Sequence, residues 1–554
     1  MGISPVLLLA GEAQHLTRPA TRNEETMKKR LLAAAATVVA AALALSACSA
    51  TSSDSGADQK KEIRVASTDP QLIIPGRQSV AYDVNMAVWS PLAFLNSDGS
   101  LDYVQAQSIE SPDATTWTVK LRDGWTFQDG TPVTAQSYVD SWNAVAYGPN
   151  AFENSGQLAN IVGYADLNPK SGTPATDKMS GLKVVDTDTF TVTLIGPDSQ
   201  FPLQVTQAQT AMYPMPASAF TDFTAYNKHP VGNGPFQFAQ DYVENEPIVL
   251  DTYSDYKGDK PTIDRITFVP YTDSETAYTD VLAGNLDVAG VPASKLTQAS
   301  TDFGQRLYSF AAPGISFLGL PLWNAAYQDE RVRQAISMAI DRQAIIDVIY
   351  GGTYDPATAW TPAIEPGTPT GICGQYCTFD PTAAKALLAQ AGGFSGPMEI
   401  YYPGGSGLDP LYQAIANQLR QNLGIDATAK PSADWAEFLQ NRNDQNITGP
   451  FFSRWGALYP SQQATLRVFF IKGGGCNNCI PWYSDEVASA MTAADGDLST
   501  DGSAYASVQQ IIQKNFPAVP LFFEKYSYVT SPRVAELVTS PVGNPTYRSI
   551  VLSK

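Results

Sequence analysis

The sequence predicts an α/β protein of more than one domain, and three observations carry that expectation. Period-2 apolar segments alternate along the chain with period-3.6 segments, as α/β layers require and all-β sandwiches do not. The length of 554 residues gives two or three domains at about 100–200 residues each. Hydrophobic residues make up 44% and charged residues 16%, which is enough apolar mass for cores and too little charge for a disordered chain.

The N-terminus reads as an address. Lys28-Lys29-Arg30 precede an apolar run, Leu31 to Leu45, that exits through Leu45-Ser46-Ala47-Cys48. Basic flank, short apolar run and small-residue exit define a secretory signal over 1–47. The run falls short of the roughly 20 apolar residues that span a bilayer. Residues 1–26 precede a natural start at Met27 and read as an overextended start. Leu-Ser-Ala-Cys resembles the bacterial lipobox, which implies a lipid on Cys48, an extracytoplasmic location and anchoring to the cell membrane. Residues 48–61 read as a flexible tether, being rich in Ser, Asp and Ala without apolar period. Removing 1–47 takes five basic and three acidic residues and His15, so a net charge of −19 becomes −21 and His229 is left as the one histidine. So acidic a chain does not suit nucleic acid or an anionic membrane surface.

Further on, Trp117, Val119 and Leu121 alternate with polar residues as a half-buried strand. Gly124 and Asp129-Gly130 are turns, and Thr134 caps a helix through Val139 and Trp142. Leu182–Val185 and Phe190–Leu194 flank Asp186-Thr-Asp-Thr189 in a hairpin pattern. In the second half, Asp329 opens a helical stretch over Val332, Ala335, Ile336, Ala339 and Ile340 that Gly351-Gly352 stops. Asp380-Pro381 opens a helix closed by Gly392-Gly393, and Asp409-Pro410 opens another closed by Gly424. Their apolar stripes read as core.

Catalytic chemistry finds little support. Ser–His–Asp and Cys–His catalysis need an imidazole, and His229 lies in a rigid turn, His229-Pro-Val-Gly-Asn-Gly-Pro235, that reads as a loop hydrogen-bonder. There is no G-x-S-x-G, H-E-x-x-H or Walker loop, and Asp54-Ser55-Gly56 sits in the tether. A secreted hydrolase using two carboxylates stays a third reading, because many acidic residues conceal any pair. The expectation is a binding protein without enzyme activity, cofactor or metal. Cys373/Cys377 and Cys476/Cys479 read as two disulfides in an oxidising compartment, with three connectivities open; a four-cysteine zinc site is the alternative. The 26 Tyr, 23 Phe and 9 Trp offer rigid contact area with polar handles. Trp455, between Arg454 and Gly456 and ahead of Tyr459-Pro460, stands out from core packing.

Several ordered motifs carry a family resemblance. Trp117-Thr-Val-Lys-Leu-Arg-Asp-Gly-Trp-Thr-Phe-Gln-Asp-Gly-Thr-Pro-Val-Thr-Ala135 resembles the signature of the extracytoplasmic solute-binding proteins of peptide ABC transporters (family 5). Pro230-Val-Gly-Asn-Gly-Pro-Phe236, Tyr256-Lys-Gly-Asp-Lys-Pro261, Gly284-Asn-Leu-Asp287, Arg331-Val-Arg-Gln-Ala-Ile336 with Ala339-Ile-Asp-Arg342, and Phe516-Pro-Ala-Val-Pro-Leu521 follow in the family's order. Leu158-Ala-Asn-Ile161 and Pro174-Ala-Thr-Asp177 are closest to the oligopeptide branch. The resemblance implies a two-lobed α/β fold of the periplasmic-binding-protein type II-like (Venus flytrap) kind. Lobe I would comprise 62–91, 214–310 and 518–554, with an extra subdomain at 92–213, and lobe II 311–517.

It also implies a monomer that closes over a peptide or other small oligomeric ligand and docks on an ABC permease. By the same likeness Trp455 matches a cleft tryptophan, Trp435 a second pocket-lining tryptophan and Arg442 an arginine of the ligand region; Arg454 and Tyr459 flank the first. Where the family carries an Asp for the peptide ammonium, this chain has Leu458. Asp434 or Glu437 could supply the missing charge, or the ligand could be N-blocked or an oligosaccharide. Arg331 and Arg333 read as structural ion pairs.

Overall fold

Strands form where the sequence alternates, and in the computed structural model most of them join one sheet. The described residues are 61–553 apart from 79, 97–99, 207–209 and 500. The signal segment, Cys48, the tether through residue 60 and the Asp54-Ser55-Gly56 triplet lie outside them. In chain order, β1 (Glu62–Ser67) precedes the pair β2 (Ala93–Leu95) and β3 (Leu101–Tyr103). A four-stranded antiparallel sheet follows: β4 (Ala106–Glu110), β5 (Thr116–Leu121), β6 (Leu182–Val184) and β7 (Thr189–Thr193), in the order β4-β5-β7-β6. Next come β8 (Phe236–Phe238), β9 (Ile248–Thr252), β10 (Arg265–Pro270), β11 (Val288–Gly290) and the long β12 (Leu307–Gly319). The remainder are β13 (Asp355–Pro356), β14 (Met398–Tyr402), β15 (Ala427–Pro431), β16 (Phe451–Gly456), the long β17 (Val519–Thr530), and the pair β18 (Val534–Glu536) and β19 (Val551–Leu552). The largest sheet has 11 strands in the order β15-β14-β16-β12-β17-β11-β1-β10-β9-β8, with β13 on β17.

Two large cores sit on this sheet. One gathers buried residues from Ile63 to Val288 and from Val534 to Ile550. The other runs from Ile315 to Phe523. The four-stranded sheet packs into the first core through Trp117, Val119, Phe190 and Val192. Among the described residues, β12 and β17 are the strands that run from one core to the other. Tyr308, Phe310 and Tyr528 pack on the first core, while Ile315, Phe317 and Phe522 belong to the second. Their antiparallel ladder is interrupted between Ala311 and Ile315. Pro313 lies inside the break, where a missing N–H costs no ladder bond. The ladder is therefore weakest where the chain changes core.

Local rules account for the helices. Thr134 caps Ala135–Ala146 with a capping box, and Asp380 with Pro381 at the first position starts Pro381–Gln390. The expected hairpin pairs β6 with β7, Leu182 opposite Val192 and Val184 opposite Phe190. Two expectations need correction. The stretch after Asp329 is two helices, Glu330–Met338 and Arg342–Ile349, because the Asp341 side chain accepts from Ala344 N and caps a second start. Asp409 does not cap Asp409–Leu423, since the N-cap is Leu408 and the Asp409 carboxylate accepts from the Tyr402 hydroxyl at 2.9 Å. Gly424 does close that helix in the left-handed region, φ 72°.

The Pro230–Phe236 motif has a steric reason. A Cβ on Gly232 would stand 2.1 Å from the Val88 carbonyl oxygen. Gly232→Ala is expected to cost about 3 kcal/mol or more in urea denaturation, because backbone must shift to admit it.

Asp83, near the start of helix Tyr82–Val88, is an acid in an apolar setting. Burial pushes its carboxyl from 3.8 up to about 6. A folded pKa above the unfolded one means the contribution is complete below pH 3.8 and lost as pH rises through about 6. Asp83→Asn is therefore expected to stabilise the fold at pH 7.5 by up to about 3 kcal/mol. The gain disappears below pH 4 in the same titration.

Candidate functional site

The strand β16 places the most informative residues. Arg454 pairs in register with Ser316 of β12, and Ser316 with Phe522 of β17. Side chains two apart on a strand share a face, so Phe452, Arg454, Ser316, Phe522 and Glu524 lie on one face of the sheet. Glu524 is 3% exposed and Arg454 43%. The Arg454 guanidinium donates to both carboxylate oxygens, Nε to Oε1 at 2.7 Å and Nη2 to Oε2 at 2.5 Å, and the Ser316 hydroxyl donates to Oε1 at 2.8 Å. The carboxylate holds the guanidinium above its ordinary pKa, against the opposing effect of burial. Gly314 makes room for the acid: a Cβ there would lie 2.9 Å from Glu524 Oε2.

Aromatic walls flank this pair. On one side Phe452 meets Trp435 at 5.4 Å and Phe438 at 5.9 Å between ring centroids. On the other, Tyr350 stacks on Tyr354 at 4.4 Å and meets Phe522 at 5.6 Å. Trp435, Phe438 and Arg442 fall at i, i+3 and i+7 of helix Trp435–Asn443, which puts them on one stripe. Arg442 is 7% exposed. Its guanidinium lies 5.7 Å over the Phe438 ring and makes no ion pair among the described residues, and Arg442 Nε and Trp435 Nε1 are buried without a hydrogen-bond partner. Burial pulls the guanidinium down to about 10. An uncompensated buried cation is a costly arrangement, and one that an anionic acceptor would relieve.

The helix is fixed at both ends. Asp434 accepts from Glu437 N at 2.8 Å and Glu437 accepts from Ala433 N at 2.5 Å. Both acids thus serve the cap, each through one backbone N–H, and both are exposed. At the far end Asn478 Nδ2 donates to the carbonyls of Arg442 and Asn443 at 3.3 and 3.1 Å. Asn478 lies between Cys476 and Cys479, whose Cα atoms are 5.5 Å apart; Cys373 and Cys377 are 5.6 Å apart, both within disulfide reach. The four cysteines do not assemble into a zinc site, as no group of three or more His, Cys, Asp or Glu suited to a metal occurs among the described residues.

The other expected residues are dispersed. Trp455 alternates to the opposite face from Arg454, with Ile315 as register neighbour, and packs half-buried against the second core. Leu458 is 36% exposed. The Tyr459 hydroxyl donates to Gln463 Oε1 at 3.0 Å, inside a buried network: Gln463 Nε2 donates to Asp198 at 2.8 Å and to Asp495 at 3.0 Å. His229 Nδ1 lies 3.0 Å from Asp241 Oδ1. Arg331 pairs with Asp329. Arg333 makes no ion pair among the described residues; buried, it donates to the carbonyls of Tyr327, Gln328, Asn515 and Phe516, so its expected pairing is corrected.

Sequence reading missed Glu524, Ser316, Phe438, Phe452, Tyr350 and Tyr354. One signal was present: Glu524 is a lone acid after the apolar run Val519–Phe523, and buried acids need partners.

The chain is 24% identical over 503 residues to the periplasmic murein peptide-binding protein MppA of Escherichia coli K12, covering 88% of this chain and 92% of that one. It is 25% identical over 520 residues to the periplasmic oligopeptide-binding protein OppA of Salmonella typhimurium LT2, covering 89% and 93%. The solved unliganded open form of the MppA murein tripeptide-binding protein superposes with a TM-score of 0.78 at 22% identity, covering 89% of this chain and 98% of that one, so the fold is that of the two-lobed binding proteins. The family model for bacterial extracellular solute-binding proteins, family 5 Middle, matches residues 104–476, and the chain belongs to that family.

Proposed function

We propose that the protein is the receptor of an ABC importer, that it captures oligopeptides between its lobes, and that it hands them unaltered to a membrane permease. The observation that carries this reading is Arg442, a buried guanidinium with no acidic partner among the described residues, on the same helix stripe as Trp435, whose Nε1 is buried without a partner. A ligand carboxylate would compensate the guanidinium. The aromatic walls would hold side chains by area and not by shape, and extended main chain would pair as an added strand. Relatives named for murein peptides and oligopeptides support the ligand class.

The finer assignments belong to the same reading. Lobe I is 62–91, 214–310 and 518–554 with the subdomain 92–213, and lobe II is 311–517. The break in β12 and β17 serves as hinge. Cys48 carries the lipid that anchors a monomer outside the cell membrane, and the two local cysteine pairs are disulfides. Arg454, Trp435 and Arg442 belong to the ligand region, and Trp455, Leu458 and Tyr459 to its margin along the end of β16, with no catalytic group, cofactor or metal. Equilibrium binding of a random tri- to pentapeptide pool, read by native mass spectrometry, is expected to give peptide-sized adducts. A protein that takes up no peptide would overturn the reading.

A further inference from the structure

Away from β12 and β17, side chains tie the two cores together again, and this tie is polar. Phe201 and Val205 seat the segment 197–206 in the first core. Leu466, Phe469 and Ala494 seat the facing helices, Gln462–Phe470 and Asp485–Asp495, in the second. Between them the Ser199 amide donates to the Asp495 carbonyl at 2.8 Å, and the Ser461 hydroxyl to Gln200 Oε1 at 2.7 Å. Gln463 Nε2 donates to Asp198 Oδ1 and to Asp495 Oδ1, at 2.8 and 3.0 Å. All six residues are buried. An apolar contact resists parting because its hydrocarbon would enter water. Hydrogen-bonding groups exchange one another for water at small net loss, so a contact built from them can part and re-form.

Its charges do not balance. Asp495 pairs with Arg467. Asp198 makes no ion pair among the described residues; four N–H donors hold its carboxylate, from Asn160, Gln200, Gln204 and Gln463. The Gln463 amide has two hydrogens, and each acid takes one. Tyr459 and Tyr505 also face the pair, and burial pushes both hydroxyls up, so they stay neutral. Two carboxylates thus share one guanidinium and one amide. Burial raises the Asp495 carboxyl from 3.8, against the pull of Arg467 and with Asp198 adding to the rise. A group whose pKa is higher in the shut contact contributes fully below pH 3.8, and that contribution is lost as pH rises through the raised value.

We propose that this contact is a clasp of the hinge, parting and re-forming as the two bodies swing about the break in β12 and β17, with the uneven carboxylate pair as its proton-sensitive element. It rests on the hinge assignment above and not on the identity of the ligand.

Hydrogen exchange of the intact protein tests it, because the Ser199 amide reports the clasp directly. Corrected for the intrinsic rate, protection of that amide is expected to fall at least about tenfold from pH 4 to pH 8, the effect of a carboxyl that holds its proton tenfold more tightly in the shut clasp. Protection of β5 is expected to stay constant, and the radius of gyration from small-angle scattering to rise over the same range. Asp495→Asn keeps an acceptor for Gln463 and Tyr505 and leaves Arg467, 44% exposed, to water, so the pH response is expected to vanish. Gln463→Leu removes the donor to both acids, and protection is expected to be low throughout. Should either variant fail to fold, the wild-type series still decides. Protection that is flat with pH or moves in step with β5 overturns the clasp. So does a response that survives in Asp495→Asn, or one without change in the radius. A protein that shows the response yet takes up no peptide would overturn the receptor reading and leave the clasp standing.

Discussion

Arg442→Met is expected to weaken peptide binding by about two orders of magnitude and, at the same time, to stabilise the unliganded protein. The two signs follow from one fact. The guanidinium is buried, burial pulls it down to about 10, and no acid among the described residues compensates it. Removing a charge that meets a buried ligand carboxylate costs about 2–5 kcal/mol, tens- to thousands-fold in affinity. Removing the same charge from the empty protein lifts a desolvation penalty, and Met keeps apolar bulk where the guanidinium lies 5.7 Å over the Phe438 ring, so about 1–3 kcal/mol of stability is gained. Functional sites commonly show this opposition. Calorimetric titration with a peptide and its C-terminal amide checks the first sign: the amide should bind wild type as weakly as the acid binds the variant. Urea denaturation checks the second. A variant that loses stability along with affinity would make Arg442 a structural residue.

The Arg454–Glu524 pair is expected to respond asymmetrically. Arg454→Met leaves a 3% exposed carboxylate without its cation, which costs about 3–5 kcal/mol. Glu524→Gln leaves a guanidinium already 43% exposed and keeps an acceptor for Ser316, so the loss is held to about 1 kcal/mol. The double change to Met and Leu is expected to return within about 1 kcal/mol of wild type, since an apolar pair replaces an ionic one. Denaturant midpoints of the four proteins measure the cycle. Equal single losses would show that the pair is a solvated surface bridge.

Local chemistry was legible and long-range pairing was not. Thr134 and Asp380 announce their helices because capping involves three consecutive residues and no tertiary context. The same rule misplaced the start at Asp409, where an acid that looks like a cap is claimed by Tyr402. It also overlooked Asp341 as a second cap inside one apolar stripe. The site suffers more from distance. Ser316 and Glu524 are 208 residues apart, and only the register of β12 against β17 makes them neighbours. A resemblance can name a single residue such as Trp435 as a candidate, because its helix is locally encoded. It is silent on Glu524, whose role exists only once three strands are side by side.

The central claim is that the protein holds a peptide between two lobes and leaves it intact. Native mass spectrometry of the protein after prolonged incubation with a peptide pool tests it most directly. The account predicts adducts whose released masses match uncut input peptides and which are depleted in Arg442→Met. Peptides recovered as fragments, or a protein that retains none, would contradict it.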